Sequence, residues 1–205
     1  MSAARPERRN LILWISLAVA AVLVIAAGLW WWLGGGRQGP VEELPLIQEP
    51  EPAEPEAFTL FFPGDGGLLG SEERELAVTD EPRGRARTLV LALLDGPRSP
   101  GLYRCFPEEV GLLDVYLAPG GVVFVDLGGE AESLQDPPPS GSREEMMRVY
   151  SVVETLTANL PEVRRVALLW NGAQRESFAG HLDTSIPLAP KTDLLSPSAR
   201  RAPAG

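Results

Sequence analysis

Three side chains of this sequence have the types a thiol hydrolase uses: Cys105, His181 and Asp183. A thiolate attacks, an imidazole takes the proton and a carboxylate orients the ring. Cys105 is the only cysteine and His181 the only histidine. The surroundings of Cys105, YRCFPEE, bring in Glu108 and Glu109, which oppose the lowered pKa an attacking thiol needs. Asp126 is the second candidate. It stands near the end of VVFVDL, before Gly128, Gly129 and Glu130, and could serve as a catalytic carboxylate, hold a cation, or accept backbone N–H bonds and close a turn. A single histidine without a cysteine or histidine cluster does not make a zinc site. The glycine-rich turn PGDGG at 63–67 lacks the Lys and Ser/Thr of a nucleotide-binding loop. The acid pairs Glu72/Glu73 and Glu144/Glu145 read as solvated faces at strand and helix starts. No catalytic residue, metal or cofactor is therefore expected. Trp170, beside Asn171, is either an aromatic offered to a partner or a sugar, or the end of a core.

These residues sit on a short series of elements. FTLFF, 58–62, is a strand, and ERELAVT, 73–79, is a second with weak alternation. RARTLVLALL, 85–94, carries its apolar residues on a helical face and stops at Asp95, Gly96 and Pro97. Residues 110–117, with Leu113, Val115 and Leu117 on one face, and 122–127 form a hairpin around Pro119, Gly120 and Gly121. After DPPPSG, Ser142 and Glu145 have the spacing of a capping box. The helix they open runs to Asn159, with Met146, Val149, Tyr150, Val153, Leu156 and Leu160 on one broad face. Residues 165–170 are a last strand, and Asn171-Gly172 begins a turn. The fold class is α+β: a small mixed sheet covered by two helices on one face.

The amino-terminal part is of a different kind. Residues 11–33, from Leu11 to Leu33, read LILWISLAVAAVLVIAAGLWWWL, without a charge, and are long enough to cross a bilayer core of roughly 30 Å. Arg5, Arg8 and Arg9 precede the run, and three tryptophans close it. That arrangement predicts an uncleaved transmembrane helix with a cytoplasmic stub at 1–10 and the bulk of the chain outside. Bulky residues where a cleavage site would stand argue against a signal peptide. The Pro/Glu-rich stretch 34–57 reads as an extended spacer, and 189–205 as a flexible tail. A net charge of -10 excludes nucleic-acid binding as a main role. One cysteine permits no internal disulfide, so the domain at 58–188 rests on its core.

Taken together, these segments resemble the GerMN domain, named for a spore-germination lipoprotein. The likeness is carried by FTLFF, by Glu73, Arg74 and Val78, and by LLDGP at 93–97. It continues through VFVDL with Asp126, VVETLTANLPEVRRVALLWNG at 152–172, and Gly180 and Asp183. The resemblance implies a small α+β domain related to ring-building motifs of envelope complexes, and no catalytic residues. The expected role is a membrane-anchored binding or scaffolding domain of the cell envelope, at the inner membrane, with an envelope protein or a second copy as partner. Asp126, Trp170, Asn171, Gly180 and Asp183 are its candidate structural or interaction residues. The competing role is a hydrolase acting on cell-wall material.

Overall fold

The computed structural model describes residues 7–34, 55–129 and 134–201. The chain divides into two units, 1–49 and 50–205. The first contains α1 (Glu7–Gly34), a helix of 28 residues that encloses the whole apolar run. Its described side chains, Trp14 and those of 17–32, are all exposed. Among the described residues no helix is long and apolar enough to cross a membrane. Most of the expected spacer, 35–54, lies outside the described residues, as do 1–6 of the stub.

The second unit orders its elements as β1 (Pro55–Pro63), β2 (Leu69–Ala77), α2 (Pro82–Leu94), β3 (Gly111–Ala118), β4 (Val122–Gly128), α3 (Ser142–Asn159), β5 (Arg165–Trp170) and β6 (Ala173–Gln174). The class is α+β with a mixed sheet, as expected: β3 and β4 are antiparallel, β4 and β5 parallel, β5 and β6 antiparallel. One correction concerns the first two strands. They form a separate antiparallel hairpin outside the four-stranded sheet. Both helices touch both sheets, so they do not simply cover one face. The physical reason is the edge of β1. Asn159 of α3 accepts the Thr59 N–H at 3.0 Å and donates to the Thr59 carbonyl at 2.7 Å. Thr155 accepts the Phe61 N–H at 3.0 Å. Helix side chains thus stand where a neighbouring strand would.

Helix α2 starts with Pro82 in its first turn, where a missing N–H costs nothing. Its last carbonyls are met by two arginines. Arg74, buried to 4% exposure, donates to the Ala92 and Gly96 carbonyls at 3.0 Å each. Arg104 donates to the Leu94 and Asp95 carbonyls. Buried Glu72 pairs with Arg74 and accepts the Arg98 and Ser99 N–H groups at 2.7 Å. The hairpin of β3 and β4 forms as read, but Leu113 leaves the expected face. The register shifts between Leu112 and Asp114, a bulge that turns Leu113 out to 46% exposure.

The segment expected to fray is docked as far as Arg201. Leu195 bridges Leu69 in parallel, the Ser196 N–H donates to the Leu69 carbonyl at 2.8 Å, and Leu195 and Ala199 enter the core. The Lys191 N–H meets Glu154, and its ammonium lies 5.4 Å from the Tyr150 ring centre. Apolar Leu194, Leu195 and Ala199 supply the burial that a count of Pro, Ser and Arg conceals.

Replacing Thr155 by Val keeps its shape and removes the acceptor for the Phe61 N–H. Leaving that buried donor unmet should cost about 1–3 kcal/mol, read as a lower urea midpoint with an unchanged slope.

Candidate functional site

The polar cluster with most of its chemistry in one place is Glu145 with the loop at 176–185. Gly141, not Ser142, is the cap residue of α3, and no side chain caps the helix. The expected capping box is therefore absent. The Glu145 N–H bonds the Gly141 carbonyl at 2.9 Å, and the side chain turns inward, 0% exposed. One carboxylate oxygen accepts the N–H groups of Ala179 at 2.7 Å and Leu182 at 3.2 Å, and the Ser177 hydroxyl at 3.2 Å. The other accepts the His181 N–H at 2.8 Å and faces its Nδ1 at 3.0 Å. Burial pushes the Glu145 carboxyl up, but these donors together pull it below its ordinary value of 4.5. Phe178 of the same loop is buried, edge-on to Trp170 at 5.6 Å and to Phe106 at 6.2 Å. The loop is held by one carboxylate and one aromatic ring.

This arrangement assigns the ring proton of neutral His181 to Nδ1 and leaves Nε2 as an acceptor. The side chain is 43% exposed and lines a cleft of about 450 Å³ with Glu176, Ser177, Asp183 and Ser185. An oriented imidazole is half of a catalytic pair. Among the described residues, the two hydroxyls lining this cleft already have partners: Ser177 Oγ is engaged by Glu145 and by the Gly180 N–H at 2.7 Å. Ser185 Oγ donates to Asp183 at 2.6 Å.

The Cys105–His181–Asp183 reading fails on the thiol and on the base. Cys105 is buried, and desolvation pushes its thiol up to about 12, despite the Ser151 hydroxyl and Arg148 nearby. The His181 nitrogen expected to meet an orienting carboxylate meets Glu145, not Asp183. Asp183 instead accepts the Ser185 N–H at 2.9 Å, closing a local turn, and those Ser185 bonds lower its carboxyl. Gly180 sits at the loop's tip with φ 103°, a value only glycine adopts without strain. Among the described residues no group of three or more His, Cys, Asp or Glu is placed to hold a metal.

Asp126 is 7% exposed, and its carboxylate accepts the Gly172 N–H at 2.9 Å. It closes a turn, though the one after β5 rather than the one following its own strand. That turn has the two-residue form with positive φ at both positions, Asn171 at 49° and Gly172 at 78°. Asn171 donates to the Leu134 carbonyl at 2.8 Å and accepts the Gly129 N–H at 3.4 Å, so it ties both flanks of 130–133. Trp170 is 0% exposed and gives its indole N–H to the same Leu134 carbonyl at 2.9 Å. It offers no ring to a partner or a sugar. A second cleft, of about 700 Å³, opens between Gly67, Tyr103 and the start of α3. Two of its polar side chains are engaged: Tyr103 donates to Asp65 at 2.8 Å and Arg143 to the Gly67 carbonyl at 3.3 Å.

Sequence spacing missed Glu145 and Glu154. The partners of Glu145 lie 32 to 37 residues downstream, in a loop with no periodic pattern. Glu154 falls among apolar residues on α3 with nothing nearby in sequence to mark its partner.

A family model described as Germane, sporulation and spore germination, matches residues 59–176. No curated protein sequence matches the chain. Among solved structures the chain is similar to the tandem GerMN domains of the sporulation protein GerM from Bacillus subtilis, at 18% identity and a TM-score of 0.52; the match covers 66% of this chain and 46% of that one. It is also similar to the first GerMN domain of the same protein, at 18% identity and a TM-score of 0.49, covering 69% of this chain and 98% of that one. The match at 0.52 shows a shared fold.

Two buried glutamates on α3 should respond to neutral replacement in opposite ways. Glu145 lies below its ordinary value in the fold, so the stability it contributes is present above that value and is lost as pH falls through the folded pKa. Glu154 is raised, by burial first and by Asp193, against the Lys191 N–H. Its penalty is absent in acid and grows as pH rises above the ordinary carboxylate value. Glu145→Gln should speed amide exchange at 179–182 at least tenfold at pH 7, while Glu154→Gln should keep or raise the urea midpoint. Equal losses from both would contradict this assignment.

Proposed function

The chain belongs to the Germane family, and from that premise we propose that it is a membrane-anchored, non-catalytic binding or scaffolding domain of the bacterial cell envelope. The observation that carries this reading is how the acidic side chains of the domain are used. Glu72, Asp126, Glu145, Glu154 and Asp183 each accept backbone N–H groups, and the one thiol is buried and held protonated. Groups committed to holding loops are poor nucleophiles and bases.

The anchor of this reading is α1. It encloses 11–33, its described side chains are exposed and apolar or aromatic, and Arg5, Arg8 and Arg9 precede that apolar run. A bilayer core is the solvent such a surface requires, and the basic end favours the cytoplasmic side. The domain then stands outside the cytoplasm beyond the 35–54 segment, with a protein partner at the inner membrane.

Full-length chain in bacterial membranes tests both halves. It should resist carbonate extraction, and external protease should reach the domain in opened cells. Crosslinking in intact membranes should return a fixed partner set that survives Asp126→Ala and His181→Ala. Purified chain should release no soluble fragments from cell-wall sacculi. Fragment release that disappears in His181→Ala or Cys105→Ala, with folding intact, would establish the hydrolase instead.

A further inference from the structure

A strand edge carries unpaired N–H and C=O groups and invites another strand unless it is blocked. Most edges of this domain are blocked. That of β1 is occupied by Thr155 and Asn159 of α3. Strand β3 is interrupted by its bulge, and the Val115 N–H there is taken at 2.7 Å by Asp114, which Arg83 helps hold at a pKa of about 2. Strand β6 has two residues, and β5 lies between β4 and β6, with Leu188 bridging Val166. Strand β2 differs. It keeps unbroken register with β1 over its whole length. Among the described residues, Ser196 is the only one outside β1 that bonds its backbone, and it does so at Leu69, the first residue of the strand. Ala199–Arg201 also approaches β2, but among the described residues no bond from outside β1 reaches the backbone of 70–77, a regular edge of about 25 Å at the usual strand rise.

We propose that this edge takes an extended segment of another protein, carrying lysine or arginine at alternate positions, as an added strand. This rests on the binding-module reading above and names its surface. Two observations choose the occupant. The chain's own carboxy-terminal segment already adds to this edge at Leu69, in parallel through Leu195, so the edge accepts strand pairing. Farther along, Glu73 and Glu75 lie on the solvent face, exposed and in no ion pair among the described residues. A strand laid beside them places every second side chain next to these carboxylates, where opposite charge stabilises and like charge opposes pairing. Antiparallel pairing of β2 with β2 of a second copy would set glutamates against glutamates, which disfavours self-association by this route. Main-chain bonds give the affinity and alternate side chains the selectivity.

The test uses full-length chain in detergent micelles and the peptide TKTKTKT, with TETETET as its counterpart. The lysine peptide should bind saturably and slow amide exchange within 70–77 at least tenfold, leaving β3 unchanged. Glu73→Lys with Glu75→Lys should weaken it at least tenfold and admit the glutamate peptide. The same reversal at exposed Glu108 and Glu109 should leave binding as it was. Protection absent from 70–77, or equal loss from both reversals, would overturn the proposal and mark the attraction as general charge. In membranes, a crosslinked partner that persists in the Glu73→Lys/Glu75→Lys chain would place its contact elsewhere while keeping the binding-module reading. No partner for the unmodified chain would count against that reading, and the peptide result would still decide the edge.

Discussion

Helix α3 is buried on nearly every side. Besides its apolar stripe it carries Glu145, Arg148, Ser151, Glu154, Thr155 and Asn159 into the interior. A polar group taken from water must find a partner or lose free energy, and each of these does. Asn159 and Thr155 complete the edge of β1. Arg148 donates to the carbonyls of Cys105 and Pro138 at 2.9 Å each. Glu145 gathers the 177–182 loop, and Glu154 meets the carboxy-terminal segment. Segments far apart in sequence thereby share one helix as their hydrogen-bonding partner. The separate hairpin, the crossover before α3 and both loops after β5 are all set by what this helix must satisfy.

That dependence explains what sequence reasoning could see. Apolar periodicity at Met146, Val149, Tyr150, Val153, Leu156 and Leu160 reports burial directly, because the helix repeat puts these residues on one side. Strand 165–170 and the turn at Asn171-Gly172 were legible for a similar reason: local backbone geometry selects those residue types. The capping-box spacing of Ser142 and Glu145 misled because two roles use the same residues. A glutamate three positions into a helix can reach back to the cap or turn into the core, and only the fold decides. Sequence reading likewise left the polar residues of α3 without partners, since every partner comes from another element. The carboxy-terminal segment was misread because its composition resembles a tail while three apolar residues reach the core.

The candidate chemistry illustrates a related rule. A residue type names a capability, and its surroundings determine whether the capability is used. Burial makes Cys105 a weak acid among apolar neighbours, so a nucleophile by type becomes a packing residue by position. Two glutamates nine residues apart on one helix are shifted in opposite directions, because Glu145 receives several donors and Glu154 receives one. His181 is oriented by a buried carboxylate, an arrangement familiar in catalytic sites, yet the hydroxyls around it are committed to other acceptors. Its orientation follows from the need to close a loop over Phe178.

The edges of the two sheets bring these points to the surface. An unblocked strand edge is a liability that folded chains usually manage with bulges, charges or covering elements. This domain covers β1 and the start of β2, interrupts β3 with a bulge, and places exposed glutamates along the remainder of β2. Acidic side chains there oppose pairing with an acidic chain, including another copy of this one, whose net charge is -10. They do not oppose pairing with a basic strand. The same pair of residues can therefore keep the domain from self-pairing along this edge and select a partner for it, with no change in the fold. Selection by repulsion needs only that the backbone edge be intact and the outward face be acidic, and β2 meets both conditions.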